Sequence, residues 1–314
     1  MANSNSNAQT LAGLRLEQTA FRRALLADTT LTGYAADWSV FERWCGLYQL
    51  AALPATPETV GLFLTDQLRE HKVTTARRRK FAIAFRHRAE GLASPVTPEV
   101  ADLLVGAQRL RAEKPRQMRP ITVRELRRMS IALARSGTAV DMRNRALLVV
   151  GWASSLRRST LGALRLADVE FVPQGIVLSV SREKNDQEGV GRLVPIPRGK
   201  HPHTDPVRVL KGWLRVRGPS PGPLFSRLDP MHEGEALSGE GVCRIVKRAV
   251  MGIGIDPAQH GAHSLRSGMI SAAAEANISA LRISNFTNQS TEMVTLYFRR
   301  SELWRNNVCG KLGL

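Results

Sequence analysis

His263-Ser264-Leu265-Arg266-Ser267-Gly268, read together with Thr291-Glu292-Met293-Val294-Thr295-Leu296-Tyr297 downstream, is the stretch on which the fold turns. The first segment opens a helix. The second lies near the C-terminus and ends on one of only three tyrosines in the chain. Upstream, Ser155-Leu156-Arg157-Arg158-Ser159 follows an apolar run, Ala146 to Ser154, that reads as a buried helix. Lys184 sits in a polar turn, Lys184-Asn185-Asp186-Gln187-Glu188-Gly189. Taken singly these are ordinary residues: surface arginines, a solvated turn lysine, a core aromatic. Their order along the chain carries the information.

Around the turn of Lys184 the pattern alternates. Ile176-Val177-Leu178-Ser179-Val180 and Gly191-Arg192-Leu193-Val194-Pro195-Ile196 read as two strands. The rest is helical. Thr122 caps a helix to about Ser136, another covers Asp141 to Ser154, and after Pro206 the helical pattern resumes, broken by the Gly/Pro-rich stretch 218–223. Between the N-terminal segment and residue 112 the chain reads as four or five helices. Tyr34, Trp38, Phe41, Trp44 and Tyr48 recur every three or four positions between Thr30 and Tyr48, one face of an amphipathic helix. In Thr56-Pro57-Glu58, Thr56 can cap, Pro57 fits the first turn and Glu58 suits the positive helix end, with the helix running to about Glu70. A third helix spans Thr74 to Glu90 and stops at Gly91, and a fourth runs from Thr97-Pro98-Glu99 to about Arg111.

The expected organisation is a disordered N-terminus over 1–12, a helical domain over 13–111, a basic linker over 112–120 (AEKPRQMRP) and a second domain over 121–314. The fold class is mainly α with a small antiparallel β-sheet.

Composition narrows the partners. Lys and Arg number 45 against 27 acids, a formal charge of +18 over 314 residues, so the chain suits a polyanion. An anionic membrane fits less well: no stretch approaches the ~18 apolar residues that a spanning helix needs, and the N-terminus, MANSNSNAQT, is no signal peptide. Cys45, Cys243 and Cys309 lie far apart with no metal spacing, which fits reduced thiols and a cytoplasmic, nucleoid-associated protein. Arg77-Arg78-Arg79-Lys80, with Arg86, His87 and Arg88 two turns on, makes one helix strongly basic, as for a helix against DNA phosphates or in the major groove; the bland alternative is a solvated face.

The series of motifs resembles the tyrosine recombinase (phage integrase) family. Its members show an Arg in a G-L-R-x-S-E-like segment, a Lys in a β-hairpin, an H-x-x-R box, a His or Trp, and a Tyr nine residues later. Asp141-Met142-Arg143-Asn144-Arg145-Ala146-Leu147 matches the usual run-up to the first Arg. The resemblance covers nearly the whole chain. It implies that Thr30 to Arg111 forms the family's helical (SAM-like) core-binding domain and Arg119 to Leu314 its α+β catalytic domain, the two closing around duplex DNA. It also implies a homo-tetramer on two DNA sites, with the tail after Tyr297 (Ser301-Glu302-Leu303-Trp304, Val308-Cys309, Leu312) docking on a neighbouring subunit. Packing of that tail within its own chain is the alternative.

The chemistry so implied needs no cofactor, metal or ATP. Arg157 and Arg266 would grip phosphate oxygens with bidentate forks and stabilise the transition state. Arg157 is chosen over Arg158 because it directly follows Leu156. Tyr297 would attack and become a 3′-phosphotyrosine, and its phenol, with an ordinary pKa of about 10, needs help losing its proton. His263 is the expected base or relay, and Lys184 the expected donor to the departing 5′-oxygen. His260, out of register, reads as structural.

Two departures qualify the resemblance. Thr160 stands where the family has an acidic residue three positions after the first Arg, and Asn288 where it has His or Trp. Asn can hydrogen-bond a phosphate oxygen but cannot carry charge or shuttle a proton. The expectation is slower chemistry or dependence on an accessory protein. Three readings follow: an active site-specific recombinase or integrase of a mobile element or its host, a catalytically weakened sequence-specific DNA-binding protein, and a type IB topoisomerase-like enzyme.

Overall fold

A computed structural model describes residues 28–113, 117–181 and 191–305, with residues 13, 14, 17, 18 and 26 before them; side chains are described as far as Phe298. The expected disordered segment 1–12, the turn holding Lys184, and residues 306–314 with Cys309 lie outside the described residues. The chain divides into two compact units, Met1–Arg116 and Gln117–Leu314.

The first unit is helical: α1 (Asp28–Leu47), α2 (Pro57–Glu70), α3 (Val73–Ala89) and α4 (Pro98–Arg111). Local chemistry sets the boundaries. The Thr56 hydroxyl accepts from the Thr59 N–H at the start of α2, and Thr97 does the same for Val100 at the start of α4, each followed by proline at the first helical position. The aromatic stripe of α1 faces inward, where Phe41 packs on Phe63 with ring centroids 4.9 Å apart and Trp44 on Phe63 at 5.4 Å. Val60, Leu64, Val73, Ile83 and Leu104 complete the core. Each such side chain contributes about 1.5–3 kcal/mol by leaving water. Tyr48 lies just beyond the helix end and stays 59% exposed.

His87 departs from the basic face expected of α3. It is fully buried, its Nε2 accepts from the Ala55 N–H at 2.9 Å, and Nδ1 lies 2.9 Å from the Ile83 carbonyl. Since Nε2 accepts, Nδ1 carries the proton, and the neutral ring pins the α1–α2 connection onto α3.

The second unit has helices α5 (Val123–Ser136), α6 (Ala139–Ser154), α7 (Arg158–Ala163), α8 (Pro206–Arg217), α9 (Gly239–Met251), α10 (His263–Glu275), α11 (Ala280–Thr287) and α12 (Thr291–Arg305). A three-stranded antiparallel sheet in the order β1-β2-β3 joins them: β1 (Val169–Val172), β2 (Gly175–Val180) and β3 (Arg192–Pro197). Val177 pairs with Pro195, and Val180 with Arg192. Alternation along β2 and β3 buries Ile176, Leu178, Val180, Val194 and Ile196. The sequence reading gave two strands. The third, β1, is only four residues long and no residue of it is fully buried, so it carries too little alternation to read. Helix α6 runs through the core with Leu147, Leu148, Val149 and Val150 all buried, which accounts for its apolar run. Among the described residues no helix is long and apolar enough to cross a membrane.

Candidate active site

Helix α10 is the keel of the site, and backbone contacts fix its position. The Ile121 N–H donates to the Ser264 carbonyl at 3.0 Å, and the Trp152 indole N–H to the Ile121 carbonyl at 2.9 Å. Gly268 lies against that same carbonyl, where a Cβ would collide with it and with the indole nitrogen. The Gly of the His-Ser-Leu-Arg-Ser-Gly segment is therefore a packing requirement. Arg119, at the end of the expected linker, donates its N–H to the Gln259 carbonyl at 2.8 Å and so belongs to this unit.

Arg266 is 2% exposed, and its guanidinium joins two loops. Nη1 donates to the Ser155 carbonyl at 2.5 Å and Nη2 to the Thr287 carbonyl at 2.6 Å. These bonds use two of the five guanidinium N–H groups and fix the plane of the fork. They also gather other residues of interest, since Ser155 precedes Leu156-Arg157 and Thr287 precedes Asn288. Both loops turn through left-handed backbone: Ser155 ends α6 at φ +54°, and Asn288 ends α11 at φ +51°. Asn tolerates that region better than most residues.

Arg157 immediately precedes α7 and is half-buried. Arg158 points elsewhere, its side chain 58% exposed and 4.0 Å from Glu240. His263 stands at the first position of α10 with part of its surface exposed. Burial holds its pKa below the ordinary histidine value, and the positive charges of Arg266 and then Arg157 push the same way. Both arginines thus act on the same imidazole. Tyr297 on α12 packs its ring against an apolar cluster of Ile270, Ile283 and Val294, and its hydroxyl lies 3.4 Å from His263 Nε2. His260 is buried at 1% with Nδ1 against the Asp256 carbonyl at 3.1 Å. Thr160 is half-buried on α7.

The structure therefore brings Arg157, His263, Arg266 and Tyr297 together, with Asn288 next to an Arg266 acceptor. Residue 184 is outside the described residues. What such a cluster can do is hold an anion between cations beside a phenol whose proton has an acceptor in reach.

The four basic residues expected to meet DNA divide in the first unit. Arg77 is exposed. Arg78 is exposed but committed, with Nε and Nη2 on the two carboxylate oxygens of Asp37 at 2.6 and 2.9 Å. Lys80 is half-buried, its ammonium 4.9 Å from the Phe81 ring centre. Arg79 corrects the expectation. It is buried at 8%, with Nε 3.7 Å from Asp37. Successive residues step about 100° around a helix, so four in a row cannot share one outer face.

Two residues that reading the sequence passed over matter here. Asp37 organises both arginines, and its signal was a lone acid within the aromatic stripe of α1. Arg192 opens β3 and donates Nη1 to the Phe286 carbonyl at 2.9 Å; no local pattern marked it.

No family model matches the chain. It is 32% identical over 294 residues, 91% of its length and 86% of the relative's, to an integrase/recombinase xerD homolog of Selenomonas ruminantium. It is 28% identical over 184 residues to a tyrosine recombinase of Synechococcus elongatus, covering 56% of this chain and 52% of that one. Among solved structures, a lambda integrase dimer bound to a COC′ core site superposes with a TM-score of 0.61 at 22% identity, covering 91% of this chain and 93% of that one. The Tn1549 transposon integrase in complex with transposon right end DNA gives 0.61 at 14% identity, covering 92% and 97%. At these identities the structural likeness is one of fold.

Proposed function

The chain belongs to the tyrosine recombinase (phage integrase) family, and we propose from this that it is a site-specific recombinase or integrase that cuts and rejoins DNA through a 3′-phosphotyrosine. The observation that carries the reading is the convergence of Arg157, His263, Arg266 and Tyr297 on one place. In the first step the Tyr297 phenolic oxygen attacks phosphorus and the phenol proton passes to His263. The bond between phosphorus and the 5′-oxygen breaks, and the leaving oxygen takes a proton, a role expected of Lys184. Arg157 and Arg266 stabilise the charge on the phosphoryl oxygens. Religation is the reverse attack by a 5′-hydroxyl. The phosphotyrosine conserves the bond energy, so neither ATP nor a metal enters the cycle.

The proposed division of labour gives DNA grip to the first unit (13–111) and chemistry to the second (121–314). Arg77 and Lys80 are its leading phosphate contacts, and duplex DNA is the partner. A lambda integrase tetramer bound to a Holliday junction is among the structures with this fold, and we extend a tetramer on two DNA sites to this chain. The test is covalent capture: incubation with a random-sequence duplex pool, denaturation in SDS, and recovery of DNA attached to protein. Adducts enriched in one sequence support the reading, and none above background defeats it. Asn288 and Thr160 favour a second reading, a weakened member that binds a specific sequence. It predicts selective retention of one sequence without adduct, and recombination by the purified protein alone contradicts it.

A further inference from the structure

The C-terminal carbonyls of a helix lack intrahelical partners and must find others. In α11 they do so in an ordered way. The Ile283 carbonyl takes the Thr287 hydroxyl at 2.8 Å, and the Ser284 carbonyl takes the N–H groups of Asn288 and Gln289. The carbonyls of the last two residues take arginines: Phe286 from Arg192 at 2.9 Å and Thr287 from Arg266 at 2.6 Å. The two donors come from different elements, β3 and α10. Two cations at one helix C-terminus also suit the negative end of its dipole. The residue that follows is Asn288, held at φ +51°.

We propose that Arg192 is a positioning residue of the strand-transfer site. It ties the sheet to the end of α11 and, together with Arg266, fixes where Asn288 presents its amide to the substrate. Arg266 already has a place in the chemistry of the site. Arg192 is half-buried, bonded to a carbonyl and set on the sheet, so it acts through the loop it holds. A neutral amide in a place where the family has His or Trp has only geometry to offer. It cannot attract the phosphate through charge, and its hydrogen bond works only when aimed. A second arginine clamp on the preceding turn supplies the aim. The inference rests on the recombinase reading for its catalytic consequence, but not for its structural one.

The test has two arms, both on the 314-residue chain. Hydrogen exchange at the Asn288 and Gln289 amides needs no DNA. Arg192→Ala is expected to raise their exchange about tenfold or more while the α6 amides stay protected, and Arg192→Lys to recover part of that protection. Unchanged exchange overturns the clamp. The second arm measures covalent cleavage of the duplex recovered by adduct capture, in a double-mutant cycle. Arg192→Ala is expected to slow cleavage about 10- to 100-fold at unchanged DNA affinity. In an Asn288→Ala background it is expected to add little, because the residue it positions is gone. Additive losses overturn positioning through Asn288. Absence of any adduct from the unaltered chain would defeat the recombinase reading instead, and the exchange arm would still decide the clamp.

Discussion

The hydroxyl of Tyr297 lies 3.4 Å from Nε2 of His263. That is the long end of a hydrogen bond. The relationship joins two motifs thirty-four positions apart. It puts an acceptor beside the phenol, and burial first, then the charges of Arg266 and Arg157, hold the pKa of that acceptor below its ordinary value.

The proposed mechanism makes the pH dependence follow from that lowered pKa. In it a protonated imidazole cannot take the phenol proton, so cleavage is expected to be lost as pH falls through the His263 pKa. Burial, Arg266 and Arg157 all hold that pKa below the ordinary value of 6.5. The acid limb therefore lies below pH 6.5, and activity persists above it. Arg157→Gln removes a repelling cation and is expected to raise the His263 pKa. Burial, the larger cause, still keeps it under the ordinary value. NMR titration of the His263 ring reads both; a pKa unmoved by Arg157→Gln would separate Arg157 from the imidazole.

Basic residues of α3 are expected to split by role. Arg77→Ala should weaken DNA binding across sequences and reduce the slope of log affinity against log salt by about one, with stability unchanged. Arg79→Ala should do the opposite: about 1–3 kcal/mol of stability lost in denaturant melts, because Asp37 loses one of its two arginines, and little change in salt slope. Equal salt slopes for the two variants would return Arg79 to the DNA face.

How far the sequence could foretell this structure depends on distance along the chain. Thr56-Pro57, Thr97-Pro98 and Thr122 marked helix starts to within a residue, because caps act over three or four positions. The Arg157, His263, Arg266 and Tyr297 series was legible as an ordered motif. The clasps were not. Arg266 finds the Ser155 carbonyl 111 positions away and Arg192 finds Phe286 94 positions away, both on backbone atoms that every residue shares. A run of like charges hides which member faces the core, and in α3 that member is Arg79.

Backbone strain at the loop before Arg157 is open to repair. Ser155 stands at φ +54° with its hydroxyl buried and, among the described residues, without a hydrogen-bond partner. Glycine enters that region freely and has no hydroxyl to satisfy. Ser155→Gly is expected to stabilise the protein by about 1–2 kcal/mol and to leave the bond from Arg266 to the residue 155 carbonyl intact. Chemical denaturation checks it, and a destabilised variant would mean that the hydroxyl is needed.

Packing at Gly268 gives the reverse case. A methyl there meets the Ile121 carbonyl and the Trp152 indole, so Gly268→Ala should cost about 1–3 kcal/mol and displace α10. A melt within ~0.5 kcal/mol of the unaltered chain would show that the segment before α5 yields easily.

The most direct measurement is the identity of the residue that carries DNA after covalent capture. Mass spectrometry of the SDS-stable adduct should place a nucleotide 3′-phosphate on Tyr297, and Tyr297→Phe should abolish the adduct while duplex binding persists. A phosphate on any other residue, or an adduct that survives in Tyr297→Phe, would contradict the account.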